Sequence, residues 1–158
     1  MSKESKTNAM RILDRLKISY ETVYYECDKF IDGIHTAYLK NVPHEQSYKT
    51  LCAVGKSRNY YVFVIPIEKE VDLKKAAKAV KEKSIDMLPL KELTKVTGYV
   101  RGGVSPLGMK KAYPVVVQQD AASLSKMYIS GGRIGATIVL TPSDLIKASG
   151  GCFADITC

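Results

Sequence analysis

The spacing of apolar residues changes several times along this chain, and each change marks an element. Between Thr7 and Lys17, Ala9, Ile12, Leu13 and Leu16 recur at helical spacing, which predicts a helix with Thr7 or Ser5 as its cap. Ser19 to Glu26 is rich in Tyr and Thr and roughly alternates, as a strand does. The stretch from Asp28 to Ser47 is mixed, contains Gly33 and Pro43, and predicts only a short helix. Thr50 to Val54 and Tyr60 to Ile65 then read as the two strands of a hairpin, with Gly55-Lys56-Ser57-Arg58-Asn59 between them.

From Asp72 the period is helical again. Leu73, Ala76, Ala77 and Val80 share one face, and Lys74, Lys78 and Lys81 share a solvated one. A short helix follows over Pro89 to Val96 and stops near Gly98, and the glycine- and proline-bearing run Arg101 to Gly108 reads as a loop. Val115 to Val117, Lys126 to Ile129 and Ile134 to Leu140 have the look of strands. Thr141-Pro142-Ser143-Asp144 opens a capped helix. Strands at hairpin spacing, without regular βαβ alternation, point to an α+β fold with a mixed, largely antiparallel sheet and helices packed around it.

Composition sharpens this picture. A chain of 158 residues with 46% hydrophobic content can bury one core, so a single domain over 1–158 is expected. The polar start Met1-Ser2-Lys3-Glu4-Ser5-Lys6 lacks the apolar stretch of a signal peptide, and no window approaches about 18 apolar residues in a row. Those features predict a cytoplasmic protein without a membrane partner. Cys27, Cys52, Cys152 and Cys158 form no C-x-x-C pair and read as thiols in a reducing compartment. Lys plus Arg number 24 against 16 Asp plus Glu, a formal charge of +8 that suits a polyanionic partner and equally a merely soluble basic protein.

Conventional catalytic patterns are missing. The imidazoles, His35 and His44, both lie in the poorly patterned segment, which disfavours a serine or cysteine triad. H-E-x-x-H, EF-hand and Walker patterns do not occur, so neither a metal nor another cofactor is expected. Two Gly-Gly pairs stand out, Gly102-Gly103 and Gly131-Gly132. Such pairs let a backbone approach a ligand and aim N–H groups at a developing oxyanion, or they simply make turns.

Four segments carry a resemblance. Tyr48-Lys49-Thr50-Leu51, Val71 to Ala79, Thr97-Gly98-Tyr99-Val100-Arg101-Gly102-Gly103-Val104-Ser105-Pro106-Leu107-Gly108 and Tyr128-Ile129-Ser130-Gly131-Gly132-Arg133-Ile134-Gly135 resemble the YbaK family in order and spacing, over about Arg11 to Phe153. Members of that family are free-standing relatives of the editing domain of bacterial prolyl-tRNA synthetases, and they deacylate mischarged tRNA. The resemblance implies a sheet curled into a partly open barrel. It also implies aminoacyl-tRNA as partner, with cysteine on the proline tRNA foremost, and leaves open whether prolyl-tRNA synthetase is a docking partner.

By the same resemblance Lys49, Gly102 and Ser130 are the central site residues. Tyr25, Thr50, Gly103, Gly131 and Gly132 would line the substrate site. Lys110, Lys111 and Arg133 sit beside the two glycine turns in the sequence, which makes them candidates for substrate binding through phosphate contact. Some members carry an acidic residue on the strand after the S-G-G turn, where this chain has Thr137. The family chemistry needs no protein nucleophile: the substrate's cysteine thiol attacks its own activated ester while the site positions the carbonyl. Two other readings stay open from the residues: a deacylase of another amino acid such as alanine, and a non-catalytic RNA- or protein-binding module.

Overall fold

The computed structural model describes residues 6–25 and 44–158. Helix α1, Asn8–Arg15, is capped by the Thr7 hydroxyl, which accepts the Met10 N–H at 3.2 Å, and it buries Ala9, Met10 and Leu13. It ends earlier than its apolar spacing suggests. Lys17 adopts a left-handed φ of 59°, which turns the chain out of the helix, so Leu16 is left 43% exposed and Ile18 enters the core instead.

Strand β1 is Glu21–Tyr24, and β2, Tyr48–Gly55, pairs antiparallel with β3, Tyr60–Pro66, to make the expected hairpin. Helix α2, Leu73–Val80, starts where Asp72 accepts the N–H groups of Lys74 and Lys75, and it buries Ala76 and Ala77. Leu73 stays largely exposed, outside the buried face its spacing suggested. Next come β4, Ile85–Met87, a 3-10 turn at Leu90–Glu92, and α3, Leu93–Thr97, which Gly98 ends with a φ of 86°. The remainder is β5 at Val115–Gln118, β6 at Met127–Ser130, β7 at Ala136–Leu140, α4 at Pro142–Ser149 and β8 at Cys152–Ala154. Thr141 caps α4, as its sequence announces. Most of the expected 28–47 helix lies outside the described residues, and His44–Gln46 forms one 3-10 turn.

The strands build two sheets where the sequence suggested one. One has the order β1-β7-β6 and the other β4-β2-β3-β5-β8, and a parallel bridge between Ser47 and Tyr128 joins them. Pairing is largely antiparallel, with β5 parallel to both β3 and β8. The α+β class therefore holds. Strands β4 and β8 have three residues each, too short for an alternating signal, and they form because β2 and β5 offer them unpaired edges.

Both faces of the larger sheet are covered. Along β3, Val62 and Val64 point into a core with Met10, Leu13, Ile129 and Ile138, while Phe63 and Ile65 point into a second core with Ala76 and Ile156. Alternation along one strand thus divides the apolar side chains between two layers.

The C-terminal segment is tied down by polar contacts. Gln118 is buried, donates to Asp155 at 3.1 Å and accepts the Ile156 N–H at 2.7 Å, while Lys75 donates to Asp155 at 2.9 Å. Lys75 first, then Gln118, hold the Asp155 carboxyl below the usual carboxylate range. A depressed folded value means that this contribution is complete above the ordinary carboxylate pKa and fades as pH falls through the lower value. Asp155→Asn should therefore flatten the acid limb of a urea-unfolding stability profile, and an acid limb identical to that of the parent would show that the contact contributes nothing.

Candidate functional site

The bridge between Ser47 and Tyr128 sets a parallel register between β2 and β6. Two residues further along each strand stand Lys49 and Ser130, and the strand period of two keeps them on one face. Ser130 pairs with Thr137, and Thr137 with Val23, so this face continues across the smaller sheet. Lys49 is half-buried, with 28% of its side chain exposed, and its ammonium lies 3.8 Å from the exposed Glu70 carboxylate. At that distance and exposure the pair holds the ammonium only loosely.

The glycine turns pack against each other beside this face. A Cβ on Gly103 would lie 2.8 Å from Arg133 Cα and 3.0 Å from the Ile134 nitrogen, so the two backbones touch where a side chain would stand. Gly102 next to it has a φ of 87°, a conformation that glycine adopts without strain. On the far side, the Thr7 hydroxyl donates to the Gly131 carbonyl, and the Tyr99 hydroxyl donates to the Leu107 carbonyl at 2.6 Å. A Cβ on Gly132 would come within 3.0 Å of Thr7 and 3.2 Å of the Tyr99 ring. Burial pushes the Tyr99 phenol up to about 12, which keeps it a neutral donor.

Three of the N–H groups in these turns, which the sequence suggested for an oxyanion, are engaged within the protein. The Gly103 N–H goes to Val100 O at 2.9 Å, that of Gly131 to Ala136 O at 2.9 Å, and that of Gly132 to Ser130 Oγ at 3.3 Å. Clearance is what the three glycines supply. Ser130 accepts in its contact, so its single O–H remains available as a donor.

Other candidates are distributed around this centre. The Tyr25 N–H donates to Gly135 O at 3.0 Å, holding the end of β1 to the turn, and the Arg133 guanidinium lies 5.8 Å from the centre of the neighbouring Tyr24 ring. Thr50 is on the opposite face of β2 from Lys49, and its hydroxyl is buried without a hydrogen-bond partner. Lys110 and Lys111 line a separate cleft of about 180 Å³ with Ile12, Ala148 and Ser149. The structure therefore brings Lys49, Ser130, Gly102, Gly103, Gly131, Gly132, Arg133 and the backbone of Tyr25 into one neighbourhood, and places Lys110 and Lys111 on a cleft that these residues do not line.

Thr7, Tyr24, Tyr99 and Thr137 were not read as site residues from the sequence. Tyr99 stands inside the longest family-like segment and Thr7 was read as a cap, but their contacts to the second glycine turn span the chain. Cys52 lies buried beside Tyr99 and Val104, and burial pushes its thiol up to about 12, so it is protonated near neutral pH and unfit as a nucleophile. His44 contacts the Glu68 carboxylate at 3.0 Å, and His35 and Cys27 lie outside the described residues. Among the described residues, no three His, Cys, Asp or Glu side chains cluster so as to hold a metal ion, and no helix is long and apolar enough to cross a membrane.

An α+β fold with two glycine turns packed beside a lysine-bearing strand defines the class. The chain belongs to the aminoacyl-tRNA editing domain family, whose profile matches residues 35–148. It is 37% identical over 155 residues, 98% of this chain and 94% of the relative, to the Enterococcus faecalis protein named "Putative Cys-tRNA(Pro)/Cys-tRNA(Cys) deacylase EbsC". The crystal structure titled "a putative trans-editing enzyme for prolyl tRNA synthetase" shares the fold, with TM-score 0.82, 23% identity, and 98% of this chain and 99% of that one covered. A hypothetical protein of known crystal structure superposes with TM-score 0.87 at 23% identity, covering 96% of this chain and all (100%) of that one.

The contact between the turns has a measurable cost attached. Gly103→Ala forces a methyl into the backbone of Arg133 and Ile134, and overpacking of this kind costs about 1–3 kcal/mol. A thermal melt should show a midpoint several degrees lower, whereas an unchanged midpoint would mean that the two turns do not touch in solution.

Proposed function

We propose that this chain is a trans-editing deacylase that removes a wrong amino acid, foremost cysteine, from mischarged tRNA(Pro) by substrate-assisted cleavage. Membership of the aminoacyl-tRNA editing family over most of the chain is the observation that carries this reading. In it, residues 1–158 act as one domain in the cytoplasm, and the two bridged sheets are the halves of a partly open barrel. Aminoacyl-tRNA is the substrate, and prolyl-tRNA synthetase is the protein on which the deacylase would dock.

The roles follow from side-chain chemistry. The Lys49 ammonium, a compact point charge, exchanges its loose contact with Glu70 for a phosphate or ribose oxygen of the terminal nucleotide. Ser130 uses its free O–H to orient the amino group or the ester carbonyl, and Gly102 keeps the loop close enough for both to reach the substrate. The cysteine thiolate of the substrate attacks its own ester carbon, a carbon–sulfur bond forms, and the bond to the ribose oxygen breaks. The thiol proton ends on that oxygen. The products are uncharged tRNA and a cyclic thiolactone, which water then opens. Cys52, protonated and buried, takes no part.

Two measurements test this. Cysteinyl-tRNA(Pro) should be cleaved much faster than the seryl ester, because a hydroxyl is far less ionised than a thiol near neutral pH. A thiolactone trapped in a quenched single turnover identifies intramolecular attack. Equal cleavage of both esters without thiolactone would establish ordinary hydrolysis, and blank rates on cysteinyl, alanyl and seryl esters would leave a binding module. Lys49→Ala should lower kcat/KM at least about a hundredfold, the scale of losing a charge-assisted contact, while its melting midpoint stays near that of the parent. Parental activity in that variant would remove Lys49 from the site.

A further inference from the structure

Around the edge of β1 from the Lys49–Ser130 face, α1 and β1 wall an open, polar cleft of about 420 Å³, lined by Lys6, Met10, Asp14, Tyr20, Thr22 and Tyr24. That volume is within the range of small-molecule sites, about 300–1,000 Å³. Strand alternation turns Tyr24 the opposite way from Val23, and therefore away from the Ser130–Thr137 face and toward this cleft. Tyr24 is 44% exposed, which leaves surface of the residue open to a ligand in the cleft. The guanidinium of Arg133 stands over the Tyr24 ring at 5.8 Å. Arg133 belongs to the turn that begins at Ser130, so one short loop reaches from the ester site to a ring that lines the cleft. The acidic group in the cleft, Asp14, is paired with Lys6, which offsets its repulsion of a phosphate.

A flat exposed ring, a guanidinium over it and a second cation across the cleft are the groups that bind single-stranded nucleic acid: bases stack on the aromatic and on the guanidinium plane, and cations meet the backbone. We propose that this cleft receives an unpaired nucleotide of the tRNA acceptor end, with its base against the Tyr24 ring and its phosphate met by Arg133 and Lys6. The 3′-terminal ester would then lie across the Ser130–Gly135 turn, on the Lys49 side. This deepens the deacylase reading and takes the identity of the RNA from it.

The test uses the full chain and a short single-stranded RNA ending in C-C-A, with 2-aminopurine in place of the nucleotide before the terminal adenosine. The fluorescence of that base falls when it stacks. Wild type should quench the probe, Tyr24→Leu should bind it about tenfold more weakly, and Tyr24→Phe, which keeps the ring, should behave as wild type. With mischarged tRNA, Tyr24→Leu should raise KM by a similar factor and leave kcat within about twofold. Quenching without any deacylation would sink the deacylase reading and still support the cleft. Deacylation with equal quenching and equal KM in wild type and Tyr24→Leu would overturn the cleft and leave the deacylase standing. A Tyr24→Phe variant as defective as Tyr24→Leu would also overturn it, because stacking needs only the ring.

Discussion

The register between β2 and β6, set where Ser47 bridges Tyr128, governs every placement in the candidate site. Among the described residues it joins two sheets whose other strand pairings are internal to each. Tyr48 and Ile129, one step past the bridge, both enter the larger core, which anchors the register through burial. One further step puts Lys49 beside Ser130. A slip of one residue would send Lys49 into the apolar core and Tyr48 onto the open face, so the burial energy of the core also fixes the ammonium.

Around that register the molecule is held by contacts with little slack. The two glycine turns meet backbone to backbone, Thr7 ties the second turn to the start of α1, and the Tyr99 ring fills the space behind it. Three N–H groups of the turns are consumed in keeping this shape. Such rigidity suits a reaction in which the substrate brings its own nucleophile, because the protein then contributes geometry more than chemical groups. The buried Cys52 thiol, so close to the turns and so hard to ionise, fits the same logic.

The basic charge of the chain is also less uniform than a count suggests. Lys75 and Lys6 are tied to Asp155 and Asp14, and Arg133 lies over an aromatic ring. Lys49 has only a loose carboxylate nearby, and Lys110 and Lys111 border their own cleft between α1 and α4. A net charge of +8 would draw a polyanion toward the whole surface. Where it settles depends on which cations stand beside a surface that can also hold a base or an ester.

The sequence by itself determined what local rules can encode. Thr7, Asp72 and Thr141 announced three helix starts, alternation announced the β2–β3 hairpin, and the two Gly-Gly pairs marked turns. The motif segments were legible enough to imply the family. Tertiary structure alone decided the division into two sheets, the parallel placement of β5 between β3 and β8, and the recruitment of three-residue strands to open edges. It also decided which distant residues stand together: Lys49 shares a face with Ser130, Arg133 reaches Tyr24, and Thr7 holds Gly131, across separations of 81, 109 and 124 residues. Caps and alternation act over a few residues, whereas strand partners and turn contacts are selected by the burial they complete, and that burial exists only when the whole core has formed.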